Sequence, residues 1–212
     1  MSDRENILKR VRGLEEGREQ RRIAMTEYVA RRALGPRPGS NWDLVMRFKE
    51  RALGLLSSVD ETNGMQEAPS VVARYLSQNG LPSGAVCWPG LAHLPWAASE
   101  LAVEPRAANG DDLVGITGVF CAIAETGTLM LLSGEYTHAV TSLLPETHIA
   151  IVKAARIVAS MEDGWSLLRS EVGALPRAVN FVSGPSRTAD IEQTITLGAH
   201  GPYRLHIIVV KE

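Results

Sequence analysis

Along the first 80 residues of this chain apolar side chains recur every three or four positions; beyond them they come as short continuous or alternating runs. The first spacing is that of one face of a helix, the second that of strands. Ile7, Leu8, Val11 and Leu14 form a narrow stripe, and Ser2 with Glu5 three places on has capping-box spacing. Such a stripe predicts a long exposed helix that lies across the body or reaches a second subunit. Gly35-Pro36-Arg37-Pro38-Gly39 stops it. The chain therefore divides into an N-terminal helical arm over 1–36 and an α/β domain over 37–212. Ser40 or Asn41 caps a second helix reaching about residue 57, with Trp42, Val45, Met46, Lys49 and Leu53 at 3–4 spacing. A strand and turn follow over 58–65. Ser70 caps a third helix, closed by Asn79-Gly80.

Strands dominate the remainder. Residues 85–88 are a short strand leading into the proline-rich PGLAHLPW, and 100–104 another. Residues 115–124 and 128–133 are the strongest strand candidates, a hairpin joined by a tight ETG turn. Residues 148–153 and 157–158 continue the pattern, 163–171 read as a short helix, and 178–182 as a strand entering Ser183-Gly184-Pro185. The run at 205–210 is apolar throughout, as in a strand buried on both faces. The sum is an α/β layered domain with a mixed sheet.

Composition narrows the class. At 45% hydrophobic, the chain can bury one core of ordinary size. Its net charge of −2 argues against a polyanion binder. The first 33 residues carry nine Lys/Arg, but six Asp/Glu are interleaved with them, so the arm is not read as a nucleic-acid arm. Cys87 and Cys121 sit in apolar context without a CxxC or Cys/His cluster. No zinc site, iron–sulfur cluster or other metal or cofactor is therefore expected, and two buried thiols suit a reducing compartment. The N-terminus has no apolar signal-peptide core and no stretch reads as a membrane span, which predicts a cytoplasmic protein.

Three turns carry candidate chemistry. After the strand AVNFV come Ser183, Gly184, Ser186, Arg187, Thr188 and Asp190. Backbone N–H groups with small hydroxyls make an anion nest, Arg187 can clamp phosphate or carboxylate, and Asp190 can accept from a ligand hydroxyl or hold Arg187. A capped structural turn with Arg187 paired to Asp190 explains the same residues. In open α/β sheets ligands gather at the carboxyl ends of strands, which favours function. Between two apolar strands, Glu125 with Thr126, Gly127 and Thr128 places a carboxylate where desolvation suits it for acid–base or nucleophilic work; an exposed hairpin corner is the plain alternative. His200 and Gly201 precede the last strand, a ligand or proton-transfer candidate that equally fits a backbone-bonded turn. His93 and His206 read as structural. GxSxG, GxGxxG and P-loop patterns are absent.

With these residues laid out, the chain resembles the LUD-domain family through AIAETGTLML at 122–131, SLLPETHIAIV at 142–152, GPSRTADIE at 184–192 and LGAHGPYRLHIIVV at 197–210. The resemblance covers roughly 40–212. It implies a Rossmann-like layered fold of the glucosamine-6-phosphate deaminase, ribose-5-phosphate isomerase and CoA-transferase type. It also implies a cluster-free part in oxidation of L-lactate to pyruvate, beside iron–sulfur partner proteins. A small anionic metabolite is then the expected ligand, with homo-oligomerisation left open. A stand-alone enzyme on a phosphorylated sugar or acyl-CoA, using Glu125, is the competing expectation; it rests on superfamily analogy alone.

Overall fold

The computed structural model describes residues 3–15, 18–31, 35, 39, 41–188 and 196–212. Ser2, Pro36 to Pro38, Ser40 and Asp190 lie outside them, as do the side chains of Val11 and Leu14. The chain divides into two units, 1–39 and 40–212. In the first, the described residues of the predicted helical arm are helical over α1 (Asp3–Glu15) and α2 (Arg18–Arg31). Ile7, Met25, Tyr28 and Val29 are exposed on them.

The second unit opens with α3 (Leu44–Gly54). Its cap is Asp43, whose Oδ1 accepts from Met46 N at 2.9 Å, so the helix starts later than either predicted cap. It also ends before 57. Leu56 stands in the left-handed region at φ 67°, Leu56 N donates to Leu53 O and Ser57 N to Ala52 O. That is a Schellman ending in which leucine holds the position usually taken by glycine. After β1 (Ser58–Thr62), α4 (Ala68–Gln78) begins two residues before the predicted cap. The Ser70 hydroxyl donates to Glu67 O and caps nothing, while Pro69 starts the helix.

Next come β2 (Gly84–Cys87), β3 (Ala102–Pro105), β4 (Val114–Gly118), β5 (Cys121–Ile123) and β6 (Thr128–Leu132). The predicted strand at 115–124 is thus two strands in two different sheets. The hairpin is β5 with β6, antiparallel, and the chain crosses between sheets at Val119 and Phe120. Phe120 N already bonds Met130 O, and Arg156 Nε holds Phe120 O at 2.8 Å. A continuous apolar run has the same pattern in either case, so only tertiary packing separates the two.

The chain continues through α5 (Val140–Leu143), β7 (Thr147–Lys153), β8 (Ile157–Val158), α6 (Met161–Glu171), β9 (Val179–Val182), β10 (Arg187–Thr188), β11 (Thr196–Leu197) and β12 (Arg204–Val210). Ser160 and Asp163 form a reciprocal capping box on α6.

The main sheet has the order β1-β12-β7-β4-β2-β3, every pair parallel. A four-stranded sheet, β8-β5-β6-β9, is mixed, and β10-β11 is a small antiparallel ribbon. Burial is layered. Val72, Tyr75 and Leu76 of α4 pack on Ile116, Ile149 and Ile208 of the parallel sheet. Its other face carries Ala150, Ile207 and Val209 against Phe48 of α3 and Leu129 and Leu131 of the small sheet. Beyond that sheet Cys121 and Met130 meet Leu168 of α6. This is an α/β layered fold whose central strands are apolar on both faces. Both cysteines are buried free thiols, and burial pushes each up to about 11, which leaves them unreactive at neutral pH.

Candidate functional site

The turn between β5 and β6 lies flat on the end of α3. Gly127 has φ 70°, and a Cβ there would stand 2.6 Å from Ala52 N. Gly184 has φ 79° and a Cβ on it would overlap the Leu55 carbonyl. Both glycines therefore serve close approach to the same helix end. Thr128 Oγ1 and Ser183 Oγ hydrogen-bond at 2.7 Å, and Thr126 Oγ1 donates to Thr128 Oγ1 at 2.8 Å. The ETG turn and the SGPSR turn thus meet in a chain of three hydroxyls. Glu125 is half-buried, with its N–H donated to Ala159 O.

The SGPSR segment also reaches the third turn. Ser186 N donates to Pro202 O and Gly198 N to Ser186 O, both at 2.9 Å, and Gly201 passes against Ser186. The Ser186 N–H is consequently committed to backbone and is not free for an anion. Arg187 donates through Nη2 to Leu55 O, and Thr188 pairs with Thr196 in the β10-β11 ribbon. Arg187 thus ties this segment to the end of α3. Ser183 follows the carboxyl end of β9, as read from the sequence. However, β9 belongs to the mixed sheet, so the parallel-sheet rule does not apply to it.

Concave space opens at the amino ends of the parallel strands. One cleft, about 650 Å³, lies before β7 and β12 and is lined by Leu143, Leu144, Glu146, Gly198, His200 and Gly201. A second, about 540 Å³, lies before β1 and β12 and is lined by Ser58, Asp60, Tyr75, Asn79, Leu56 and His206. Tyr203 and Arg204 line both. The predicted His200 and Gly201 enter the first cleft. Glu125, Thr126, Gly127, Thr128, Ser183, Gly184, Ser186, Arg187 and Thr188 line neither.

Arg204, which the sequence reading did not single out, lines both clefts. Its guanidinium stands 4.9 Å over the Tyr203 ring, and among the described residues it makes no ion pair. A half-buried cation with no ion pair among the described residues, beside two clefts whose linings also include Asp60 and Glu146, can partner a carboxylate or phosphate. The carboxyl ends of β1 and β12 contrast with this. There Glu61 is bracketed by Lys49 and Lys211, which together hold its carboxyl below the usual range.

His206, read as structural from the sequence, and Ser58, not singled out there, line the second cleft. His206 follows Arg204 by two positions, hence on the same face of β12, in register with Ser58 of β1. Its Nδ1 lies 2.9 Å from Ser58 Oγ, and its ring stacks on Tyr75 with centroids 3.9 Å apart. Burial drives its pKa down to about 4, so the ring is neutral at pH 7. His148 is sealed on the other sheet face, bonded to Thr117 Oγ1 at 2.8 Å, and burial takes it likewise to about 4. The sequence does carry one trace of this cluster: Arg204 and His206 interrupt an apolar run at period two. Among the described residues no group of His, Cys, Asp and Glu could hold a metal ion, and no helix is long and apolar enough to cross a membrane.

Residues 94–210 match the LUD domain. Lactate utilization protein C of Shouchella clausii is 36% identical over 171 residues, covering 78% of this chain and 73% of that protein. Lactate utilization protein C 1 of Bacillus mycoides is 38% identical over 120 residues, 55% of this chain and 51% of that protein. The Bacillus subtilis lactate utilization protein C is 37% identical over 102 residues, 47% and 42% of the two chains. Against two of these three relatives the chain thus spans about half their length or less. A crystal structure of a DUF162 family protein from Deinococcus radiodurans superposes with a TM-score of 0.60 at 26% identity, covering 82% of this chain and 99% of that one.

Proposed function

The chain belongs to the LUD-domain family, and from that footing we propose that it is the cluster-free component of an L-lactate utilization system, binding a small anionic metabolite and docking iron–sulfur partner proteins. The names of its relatives support the pathway. The observation that carries the binding role is Arg204, a guanidinium that makes no ion pair among the described residues and lines both clefts. A carboxylate ligand would complete its pairing and gain a charge-assisted bidentate hydrogen bond. His200, exposed on the rim of the larger cleft, is placed to take part in the same recognition. Two buried thiols and no cysteine cluster leave electron transfer to partners, which is why docking belongs to the proposal.

A clean deletion is expected to abolish growth on L-lactate while sparing growth on glucose, and the tagged chain is expected to co-purify with cysteine-rich proteins. In vitro, L-lactate or pyruvate should raise the melting temperature, by about 2.7 kcal/mol of stabilisation at a hundredfold excess over Kd. Arg204→Met should remove that shift and Glu125→Gln should keep it, because Glu125 lines neither cleft. Normal growth of the deletion strain on L-lactate overturns the proposal.

A further inference from the structure

Two histidine–hydroxyl pairs lie in the parallel sheet, and their surroundings differ. Thr117 and His148 are both 0% exposed, and neither lines either cleft. Packing explains that pair completely. Ser58, by contrast, is half-buried and lines the smaller cleft, with its Oγ 2.9 Å from His206 Nδ1. Across the same ring, Asp60 Oδ2 stands 3.6 Å from Nε2, a buried nitrogen with no hydrogen-bond partner among the described residues. Arg74 holds Asp60 at 2.9 Å and keeps it charged. A hydroxyl, an imidazole and a carboxylate thus follow one another across one ring. The neutral ring carries one proton. A bare Nε2 would aim its lone pair at the Asp60 charge, so the proton belongs on Nε2 and Nδ1 is free to accept from Ser58.

We propose that Ser58 is a nucleophile and that this cleft hydrolyses small carboxylic esters, with His206 as the base and Asp60 as a positioning residue. Ser58 Oγ bonds to the ester carbonyl carbon while its proton passes to His206 Nδ1. The bond from that carbon to the alcohol oxygen breaks, and the alcohol leaves with the proton. Water then attacks the acyl-serine and gives a proton to Nδ1; the acid departs as that proton returns to Ser58 Oγ. Ester and water become acid and alcohol, and nothing else is consumed. Asp60 faces the ring while it is charged. Arg204 lies two positions before His206 on the same face of β12 and lines the same cleft, so its charge favours the oxygen that turns negative in each addition. Ser58 opens β1 just after the left-handed Leu56. Such a constellation is defined by geometry and roles, so the missing GxSxG elbow does not exclude it.

Diisopropyl fluorophosphate, which bonds its phosphorus to an activated serine oxygen and loses fluoride, tests the nucleophile in the full chain. One adduct is expected, mapped to Ser58 by mass spectrometry, together with turnover of p-nitrophenyl acetate above the buffer rate. Ser58→Ala should abolish both, and His206→Gln should slow both about a hundredfold or more. Asp60→Asn, a change at a partly exposed position, should lower kcat about tenfold or more with KM unchanged, and circular dichroism should match the native chain. Nitrogen-15 spectra should show the His206 ring protonated at Nε2 and bare at Nδ1. No adduct on Ser58, turnover that survives Ser58→Ala, native labelling and turnover rates in a folded His206→Gln or Asp60→Asn, or a proton on Nδ1 each overturn the inference. Growth on L-lactate and partner co-purification do not read ester hydrolysis, so either proposal can fail alone.

Discussion

Two buried histidines make this protein sensitive to acid. His148 and His206 both titrate near 4 when folded, because burial disfavours their charged forms, against about 6.5 in an unfolded chain. Between those values the unfolded chain binds more protons, so stability is full above about pH 6.5 and falls as pH drops towards 4. Each histidine should remove on the order of 2 kcal/mol between pH 7 and pH 5. Urea unfolding at those two pH values measures the loss, and His206→Gln should flatten about half of it. A second residue-scale expectation concerns Gly127. With φ at 70° and Ala52 N 2.6 Å from any added Cβ, Gly127→Ala should cost about 2 kcal/mol or more, read from the same urea midpoints.

At the scale of elements, the end of α3 is where the ETG and SGPSR turns converge. Gly127, Gly184 and Arg187 all contact residues 51–55, and Leu56 beside them is left-handed and 61% exposed. A left-handed leucine costs energy that glycine would not. Leu56→Gly is accordingly expected to stabilise the fold by about 0.5–1 kcal/mol, seen as a higher thermal midpoint. Since Leu56 lines the smaller cleft, a stabilised variant with weaker ligand binding would mark the strain as functional. On α6, the Ser160–Asp163 box should be worth about 1 kcal/mol by Ser160→Ala. Elements were legible where period and punctuation agree, as in β7, β12 and α6. They were misread where a tertiary event cuts a uniform pattern. The crossing at Val119 and Phe120 and the Asp43 cap are such cases.

At the scale of the whole chain, 40–212 holds its own core layers and both clefts. A chain beginning at Ser40 is expected to unfold in one cooperative transition and to keep its ligand-induced shift. Calorimetry of both lengths checks this; a broad transition would show that the arm completes the fold. Local pattern was enough to set the alternation of helix and strand, the layered α/β class, the family segments and the small-residue turns, because each depends on neighbours within a few positions. Which turns meet, and at which edge of the sheet the clefts open, depended on pairing across great separations. Ser58 finds His206 148 residues away, Arg187 reaches Leu55 across 132, and Arg204 faces cleft space only because β1 and β12 lie side by side. Such contacts leave no local period, so only the assembled sheet creates them.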